Sequence, residues 1–116
     1  MCGFLITNYN IKVNNYKNLL EHRGPDQFGF YNGDILKILF NRLSIIDLSK
    51  RSNQPFKFKN FLIVFNGEIY NYIELKKELK KAGYKFKTSS DTEVLLYSYL
   101  CWGKKSLKKL EGMFAF

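Results

Sequence analysis

Apolar residues form short runs in the first half of the chain and recur at helical spacing in the second half. Apolar or alternating runs of four to eight residues predict strands that are buried on one or both faces. Such runs occupy residues 3–7, 27–31, 35–40, 43–46 and 61–65. The second and third runs are joined by Asn32-Gly33-Asp34, which is typical of a hairpin turn. The fifth run is entirely apolar, which predicts a strand covered on both faces.

An early helix is predicted near residue 20. Tyr16, Leu19 and Leu20 have helical spacing. The pair Gly24-Pro25 ends this helix, because proline disfavours the α region for the residue before it. A turn is therefore expected directly after the helix.

Two later segments carry helix-start signals. Asn71-x-x-Glu74 and Ser90-x-x-Glu93 resemble capping boxes, in which the two side chains satisfy free N–H groups of the first helical turn. Helically spaced apolar residues follow each signal, and a shorter helical piece and a final apolar run end the chain. Strands followed by helices predict an α+β fold with helices packed on antiparallel sheets.

Composition places the chain among ordinary globular proteins. It has 116 residues, of which 46% are hydrophobic and 25% are charged, so it can form one core and is neither disordered nor fibrous. No apolar run approaches the roughly 18 to 20 residues that cross a bilayer, and the first residues lack the layout of a signal peptide. These features predict a cytoplasmic protein with no membrane partner.

The net charge of +9 first suggests an anionic partner. Much of the excess lies in paired lysines on the predicted helices, namely Lys76, Lys77, Lys80, Lys81, Lys104, Lys105, Lys108 and Lys109. This spacing favours solvated helix faces, and no nucleic-acid-binding signature occurs. We therefore predict no nucleic-acid partner, with a basic module that binds RNA or acidic lipid as the alternative.

Cys2 is the first candidate for chemistry. An isolated cysteine is usually a small apolar residue, and two cysteines are too few for a disulfide scaffold. Removal of Met1, however, would leave Cys2 with both a thiol and a free α-amine. An α-amine has a reference pKa of about 7.7 to 8.0, so it can accept the thiol proton near neutral pH. One residue would supply both nucleophile and base.

A thiolate that attacks a carboxamide needs donors for the resulting oxyanion. The side chain of Asn66 and the N–H of Gly67 could supply them, although an isolated Asn-Gly is more often a plain turn. An amino-acid substrate also needs a guanidinium for its carboxylate and an acid for its ammonium. Arg42 and Asp91 are candidates, with a surface arginine and a helix-entry aspartate as the alternative interpretations.

Six sequence blocks carry a resemblance to a known family. They are MCGF at 1–4, HRGPD at 22–26, RLSIID at 42–47, FNGEIYN at 65–71, SDTEV at 90–94 and LEGMFAF at 110–116. In this order they closely resemble the N-terminal glutaminase domain of glutamine-hydrolysing asparagine synthetase, a class II glutamine amidotransferase. RLSIID and FNGEIYN favour this branch over glucosamine-phosphate synthase and the phosphoribosyl amidotransferase.

The resemblance implies an N-terminal nucleophile (Ntn) hydrolase fold, an αββα sandwich of two antiparallel sheets between helix layers. It also implies that residues 1–116 are a partial, incomplete domain of this class. By motif, Cys2 is the nucleophile, and Asn66 with Gly67 forms the oxyanion hole. Glutamine would pass through a γ-glutamyl thioester, releasing ammonia and then glutamate.

The same resemblance implies how L-glutamine is held. Arg42 would bind its carboxylate, and Asp91 with Glu68 would bind its ammonium. Main-chain groups around Ile45 and Ile46 would line the pocket. No metal ligand and no cofactor are expected within this chain.

In the whole enzyme, the resemblance implies that ammonia passes to a C-terminal synthetase domain, which uses ATP and Mg²⁺ to amidate aspartate. That domain of the same polypeptide, and a second copy of the complete protein in a homodimer, are the expected protein partners. The apolar residues 113–116 predict truncation within a strand and a marginally stable fragment. A relative that acts on another acceptor, such as a surface-sugar precursor, and a catalytically silent regulatory domain are alternatives.

Overall fold

A computed structural model describes all residues, 1–116, and contains seven strands and two α-helices. The strands are β1 Gly3–Thr7, β2 Gln27–Asn32, β3 Lys37–Arg42, β4 Phe56–Phe58, β5 Phe61–Ile63, β6 Asn66–Ile69 and β7 Gly112–Ala115. The helices are α1 Tyr72–Lys81 and α2 Asp91–Trp102. Short 3₁₀ turns occupy Val13–Asn15, Glu21–Arg23, Lys50–Ser52 and Gly103–Lys108.

The strands form three antiparallel sheets. The largest has the order β1-β3-β2, in which the central residue Phe40 lies opposite Phe4 on one side and Gly29 on the other. β4 and β5 form a hairpin, whereas β6 pairs with the distant β7. Mixed helices and antiparallel sheets confirm the predicted α+β class.

Two hydrophobic clusters hold these layers together. The larger one joins the two helices to β6, with Leu79, Leu95 and Ile69 completely or almost completely buried. The smaller one joins the three-stranded sheet to the segment after β5, through Phe40 and Val64. The second cluster also contacts Cys2, so the start of β1 is held against the inside of the fold.

The start of α2 confirms one half of its predicted capping box. Ser90 Oγ accepts a hydrogen bond from the N–H of Thr92 at 3.1 Å, as an N-cap should. Glu93 is fully buried but does not reach back to the cap. Its carboxylate instead accepts bonds from the N–H groups of Lys87 and Thr88 and from the Thr88 hydroxyl. Glu93 thus fixes the turn that leads into α2.

Asn71 precedes α1 as predicted, but its side chain does not cap the helix. Its Nδ2 donates to the carbonyl of Lys109 at 2.8 Å, and its Oδ1 accepts from the N–H of Glu111 at 3.1 Å. These two bonds hold the chain just before β7. Asn71 therefore helps to place β7 beside β6.

Three sequence predictions for the first half are wrong. The helix near residue 20 is replaced by two 3₁₀ turns, because Tyr16 and Leu19 stay exposed and neighbouring asparagines compete with helical hydrogen bonds. Residues 43–46 are a loop, since the N–H groups of Leu43 and Ser44 bond to side chains rather than to a strand. The strand in 61–65 ends at residue 63, and Phe61 is 46% exposed, so this strand is not covered on both faces.

Seven of the eight helix-associated lysines are exposed, as predicted, and one of them, Lys109, forms an ion pair with Glu78 at 2.7 Å. Lys76 is the exception, because it is partly buried over the Phe86 ring and donates to the carbonyl of Thr88. Burial lowers the pKa of Lys76.

Neither α-helix nor any other helix has the length and apolar content that a bilayer span requires.

Candidate active site

One cleft collects every site residue that the sequence predicts. Its lining includes the eight predicted residues Cys2, Arg42, Ile45, Ile46, Asn66, Gly67, Glu68 and Asp91. These residues come from four separate segments of the chain. The cleft lies where the start of β1, the loop after β3, the start of β6 and the start of α2 meet. The remaining lining residues are Met1, Leu43, Gln54, Phe65, Ser90, Thr92 and Met113.

The thiol of Cys2 is held by the loop after β3. Its Sγ accepts a hydrogen bond from the N–H of Leu43 at 3.3 Å and lies 3.5 Å from the Leu43 carbonyl oxygen. The Cys2 carbonyl oxygen accepts from Nε of Arg23 at 3.0 Å. Met1 is 57% exposed at the rim of the same cleft. The thiol therefore has a fixed position, and the residue before it faces solvent.

The close approach of β7 requires a glycine at position 67. Its φ is +151°, and a Cβ placed there would lie 2.2 Å from the carbonyl oxygen of Met113. Further along β6, the N–H of Ile69 donates to the Asp91 carboxylate rather than to β7. Because N–H groups two residues apart point to the same side of a strand, we infer that the Gly67 N–H also points away from β7.

The side-chain amide of Asn66 forms no hydrogen bond with the protein, and its Oδ1 is buried. A buried amide oxygen without a partner is unusual in a folded protein. Its neighbour Gly67 supplies a main-chain N–H on the side of the strand away from β7. Asn66 and Gly67 thus place two uncommitted polar groups beside each other at the cleft.

Asp91 is the buried acid of the cleft, with 6% of its surface exposed. Burial raises its pKa, the hydrogen bond from the N–H of Ile69 partly offsets this effect, and the nearby Glu68 carboxylate raises the pKa further. Glu68 itself is exposed at the rim. The two acids form a negative corner, which suits a cationic group of a ligand.

Arg42 is buried, and its guanidinium holds the loop that follows β3. Nη1 donates to Asn53 Oδ1 at 3.1 Å and to the carbonyl of Ser49 at 3.4 Å. Nη2 donates to the carbonyls of Asp47 and Ile46. The guanidinium thus shapes the cleft wall while lining the cleft itself.

Ile45 and Ile46 lie on this loop, and Ile45 is the more exposed of the two. Ile45 is 68% exposed at the edge of the cleft, and Ile46 is partly buried. The Ile46 carbonyl accepts from Arg42, as described above. Both residues line the cleft.

Asp47 ties the loop to the start of α2, a role that the sequence did not reveal. Its carboxylate accepts from the N–H groups of Ser49 at 2.9 Å and Ser89 at 2.7 Å. Burial alone would raise the pKa of Asp47, but hydrogen bonding from Ser49 and Ser89 outweighs it and holds the pKa well below its usual range. Asp47 lies in the RLSIID block, and its left-handed backbone (φ 52°) could not be read from the sequence.

Gln54 is the second residue that sequence reasoning missed. Its buried side chain bonds to both main-chain polar atoms of Phe65 and to the hydroxyl of Thr92. A glutamine before a proline, between two predicted strands, carries no hydrophobic or motif signal. Only the three-dimensional contacts identify it.

Comparison with known proteins shows which family the chain is similar to. A sequence model of the glutamine amidotransferase domain matches residues 1–116. The chain is 45% identical to asparagine synthetase [glutamine-hydrolyzing] 1 of Bacillus subtilis, over 90% of this chain and 17% of that protein. It is 43% identical to a putative asparagine synthetase [glutamine-hydrolyzing] of Mycobacterium tuberculosis (strain H37Rv), over 85% and 17%. Asparagine synthetase B [glutamine-hydrolyzing] of Escherichia coli is 40% identical, over 84% and 18%.

Proposed function

This chain belongs to the glutamine amidotransferase domain family, and from that membership we propose that its cleft hydrolyses L-glutamine to glutamate and ammonia. The observation that carries the proposal is the convergence of eight candidate residues from four chain segments on one cleft. Their chemical types match the parts of an α-amino acid with a side-chain amide: a thiol, amide donors, a guanidinium and two carboxylates.

Cys2 acts as the nucleophile once Met1 has been removed. Its α-amine accepts the thiol proton, and Sγ attacks the carboxamide carbon of glutamine. The carbon–nitrogen bond breaks, the protonated amine returns the proton to the leaving nitrogen, and ammonia departs from a γ-glutamyl thioester. Water then attacks the thioester carbon, the α-amine takes up the water proton, and the carbon–sulfur bond breaks to release glutamate and restore the thiol. The exposed Met1 is accessible to an aminopeptidase, which supports this order of events.

Asn66 and Gly67 stabilise the oxyanion that forms in both steps. A donor that is fixed before the reaction costs no reorganisation when negative charge develops, so such donors lower the barrier. The uncommitted amide of Asn66 supports this role. The inferred direction of the Gly67 N–H supports it as well.

Arg42 holds the α-carboxylate of glutamine, and Asp91 with Glu68 holds its ammonium. The negative corner formed by the two acids supports the second contact, because an ionised ligand ammonium would relieve the cost of burying Asp91. Main-chain groups of the loop at Ile45 and Ile46 line the wall between them. Charged partners for both α-groups of the substrate select an amino acid over a simple amide.

The two cysteines provide a matched test, because both are free and partly buried. The experiment uses the complete protein, meaning the natural polypeptide that includes residues 1–116. Cys2→Ala should reduce glutamine hydrolysis at least about a thousandfold, as expected for loss of a nucleophile. Cys101→Ala should leave the rate within about twofold. Equal rates for wild type and Cys2→Ala, or a mature N-terminus that retains Met1, would contradict the mechanism.

The chain spans 17% of the length of the first curated relatives that it matches. We propose that the complete protein is a glutamine-hydrolysing asparagine synthetase in which residues 1–116 are part of the amidotransferase domain. A separate synthetase domain would use ATP and Mg²⁺ to amidate aspartate with the released ammonia. We further propose that the complete protein forms a homodimer in the cytoplasm; the two free cysteines within residues 1–116 suit that reducing compartment.

The acceptor is tested with glutamine labelled with ¹⁵N in its amide. The complete protein, supplied with aspartate and ATP, should form labelled asparagine. Release of labelled ammonia without labelled asparagine would retain the glutaminase and overturn the assignment of the acceptor.

A further inference from the structure

Gln54 connects three parts of the cleft through one buried side chain. Its Oε1 accepts from the N–H of Phe65 at 2.7 Å, and its Nε2 donates to the Phe65 carbonyl at 3.3 Å. The same Nε2 donates to Thr92 Oγ1 at 3.2 Å. Since 5% of Gln54 is exposed, these bonds are shielded from water.

The main chain of Gln54 is itself fixed on the three-stranded sheet. The Gln27 side chain donates to the Gln54 carbonyl at 3.0 Å and accepts from the Gln54 N–H at 3.2 Å. Gly29 permits this contact, since a Cβ there would lie 1.8 Å from the Gln54 carbonyl oxygen. Gln54 therefore extends from a rigid support toward the cleft.

Phe65 is the residue directly before Asn66. Because Gln54 binds both the N–H and the carbonyl of Phe65, it fixes the orientation of the peptide that leads into Asn66 and Gly67. The bond to Thr92 links the same clamp to the first turn of α2, where Asp91 begins the helix. No other side chain bonds to the main chain of Phe65.

We propose that Gln54 is a positioning residue that aligns Asn66 and Gly67 for oxyanion stabilisation. This inference rests on the proposed glutaminase function. Gln54 acts through the Phe65 main chain and makes no contact of its own with the oxyanion. Its loss should therefore lower turnover more than glutamine binding, because oxyanion contacts are made in the transition state.

The test uses Gln54→Met in the complete protein, which keeps the side-chain length and removes both kinds of hydrogen bond. We expect kcat for glutamine hydrolysis to fall about tenfold to a hundredfold, because small misplacements of catalytic groups have effects of this size. The KM for glutamine should stay within about twofold. Alkylation of Cys2 by iodoacetamide should keep its rate, since that reaction forms no oxyanion.

Gln27→Met is the matched control, because it removes two hydrogen bonds to the Gln54 main chain and leaves the clamp on Phe65 intact. It should lower kcat by less than about threefold. An unchanged kcat in Gln54→Met, an equal loss in Gln27→Met, or a parallel loss of alkylation would each overturn the proposal. If Gln54→Met does not fold, Gln54→Glu keeps the acceptor for the Phe65 N–H and should show a smaller loss of kcat; an unchanged kcat there would overturn it too.

Hydrogen–deuterium exchange separates this inference from the proposed function. Gln54→Met should make the Phe65 amide exchange at least about tenfold faster than in wild type, whether or not the protein hydrolyses glutamine. If wild type has no glutaminase activity, the proposed function fails, and with it the catalytic part of this inference. An unchanged exchange rate would overturn the clamp in either case.

Discussion

Two aspartates near the start of α2 have opposite environments. Asp47 accepts a hydrogen bond from the N–H of Ser89, and Asp91 follows only two residues later. The pKa of Asp47 lies well below its usual range, whereas the pKa of Asp91 is raised. Residue type and position therefore do not decide the state of these acids; the surrounding donors do.

The difference lies in how well the protein satisfies each carboxylate. Asp47 has short bonds from two main-chain N–H groups, at 2.9 and 2.7 Å. Asp91 is more deeply buried, receives the Ile69 N–H at the longer distance of 3.3 Å, and lies near a second acid, Glu68. Asp47 is thus already paired within the protein, while Asp91 retains the capacity to bind a ligand cation. We therefore predict that Asp47 serves stability and that Asp91 serves ligand binding.

Among the variants that test this comparison, Asp91→Asn in the complete protein has the largest expected effect. Loss of the charge should raise the KM for glutamine and lower kcat/KM by about thirtyfold to several thousandfold, the usual range for removing one partner of a buried charge pair. Steady-state kinetics with glutamine measure this change. Asp47→Asn, which removes the same charge nearby, is the control and should change kcat/KM much less.

Asp91→Asn should also leave the protein more stable at neutral pH. For an acid with a raised pKa, wild-type stability falls as pH rises from the unfolded value of 3.8 through the folded pKa. The advantage of the Asn variant should therefore grow across that window and stay constant above it. Thermal unfolding at several pH values tests this. If Asp91→Asn had an unchanged kcat/KM and a lower stability, Asp91 would be a structural residue, and the proposed difference in role between the two aspartates would be wrong.

Asp47→Asn should have the reverse signature. One of the N–H groups of Ser49 and Ser89 would lose its acceptor, which should lower the free energy of unfolding by about 1 to 3 kcal/mol at pH 7. Because the pKa of Asp47 is lowered in the folded state, its contribution is complete above the unfolded value of 3.8 and is lost below it. The difference from wild type should shrink under acid.

The exposed Asp34 gives the control for this prediction, since Asp34→Asn changes the same charge on the surface. It should leave stability within about 0.5 kcal/mol. A destabilisation by Asp47→Asn that stayed constant down to the lowest measurable pH would show that packing, rather than the charge, explains the effect.

The sequence predicted the second half of the fold better than the first, for a physical reason. α2 begins after Ser90 as expected, because the N-cap and the apolar residues that follow it are local features. The loop at 43–46 was predicted as a strand because most of its residues are apolar. Its conformation depends instead on hydrogen bonds from the N–H groups of Leu43 and Ser44 to Cys2 and Asp26, which lie far away in the chain. A single sequence shows local signals such as helix caps, but it does not show which distant residues will form hydrogen bonds.

The candidate site shows the same division. The sequence predicted Cys2, Asn66 and Asp91 from their chemistry and motifs, and the fold places all three on one cleft. It gave no sign of Gln54, whose partners lie 11 and 38 residues away. The candidate groups for catalysis and binding were recognisable by residue type, whereas the groups that support them became visible only through their contacts.

The smallest expected effect concerns Ser89. Asp47 is bound by the main-chain N–H of this residue, so the Ser89 hydroxyl is not needed for the contact. Ser89→Ala keeps the N–H and should change the free energy of unfolding by less than about 0.5 kcal/mol, while Ser89→Pro removes the donor and should lower it by more than 1 kcal/mol. Denaturant unfolding of the two variants measures the difference. Because Asp91 binds no atom of Ser89, the KM for glutamine should be unchanged in Ser89→Ala. If Ser89→Ala were as unstable as Asp47→Asn, the Ser89 side chain rather than its N–H would make the contact with Asp47. The contrast between the two aspartates would then need another cause.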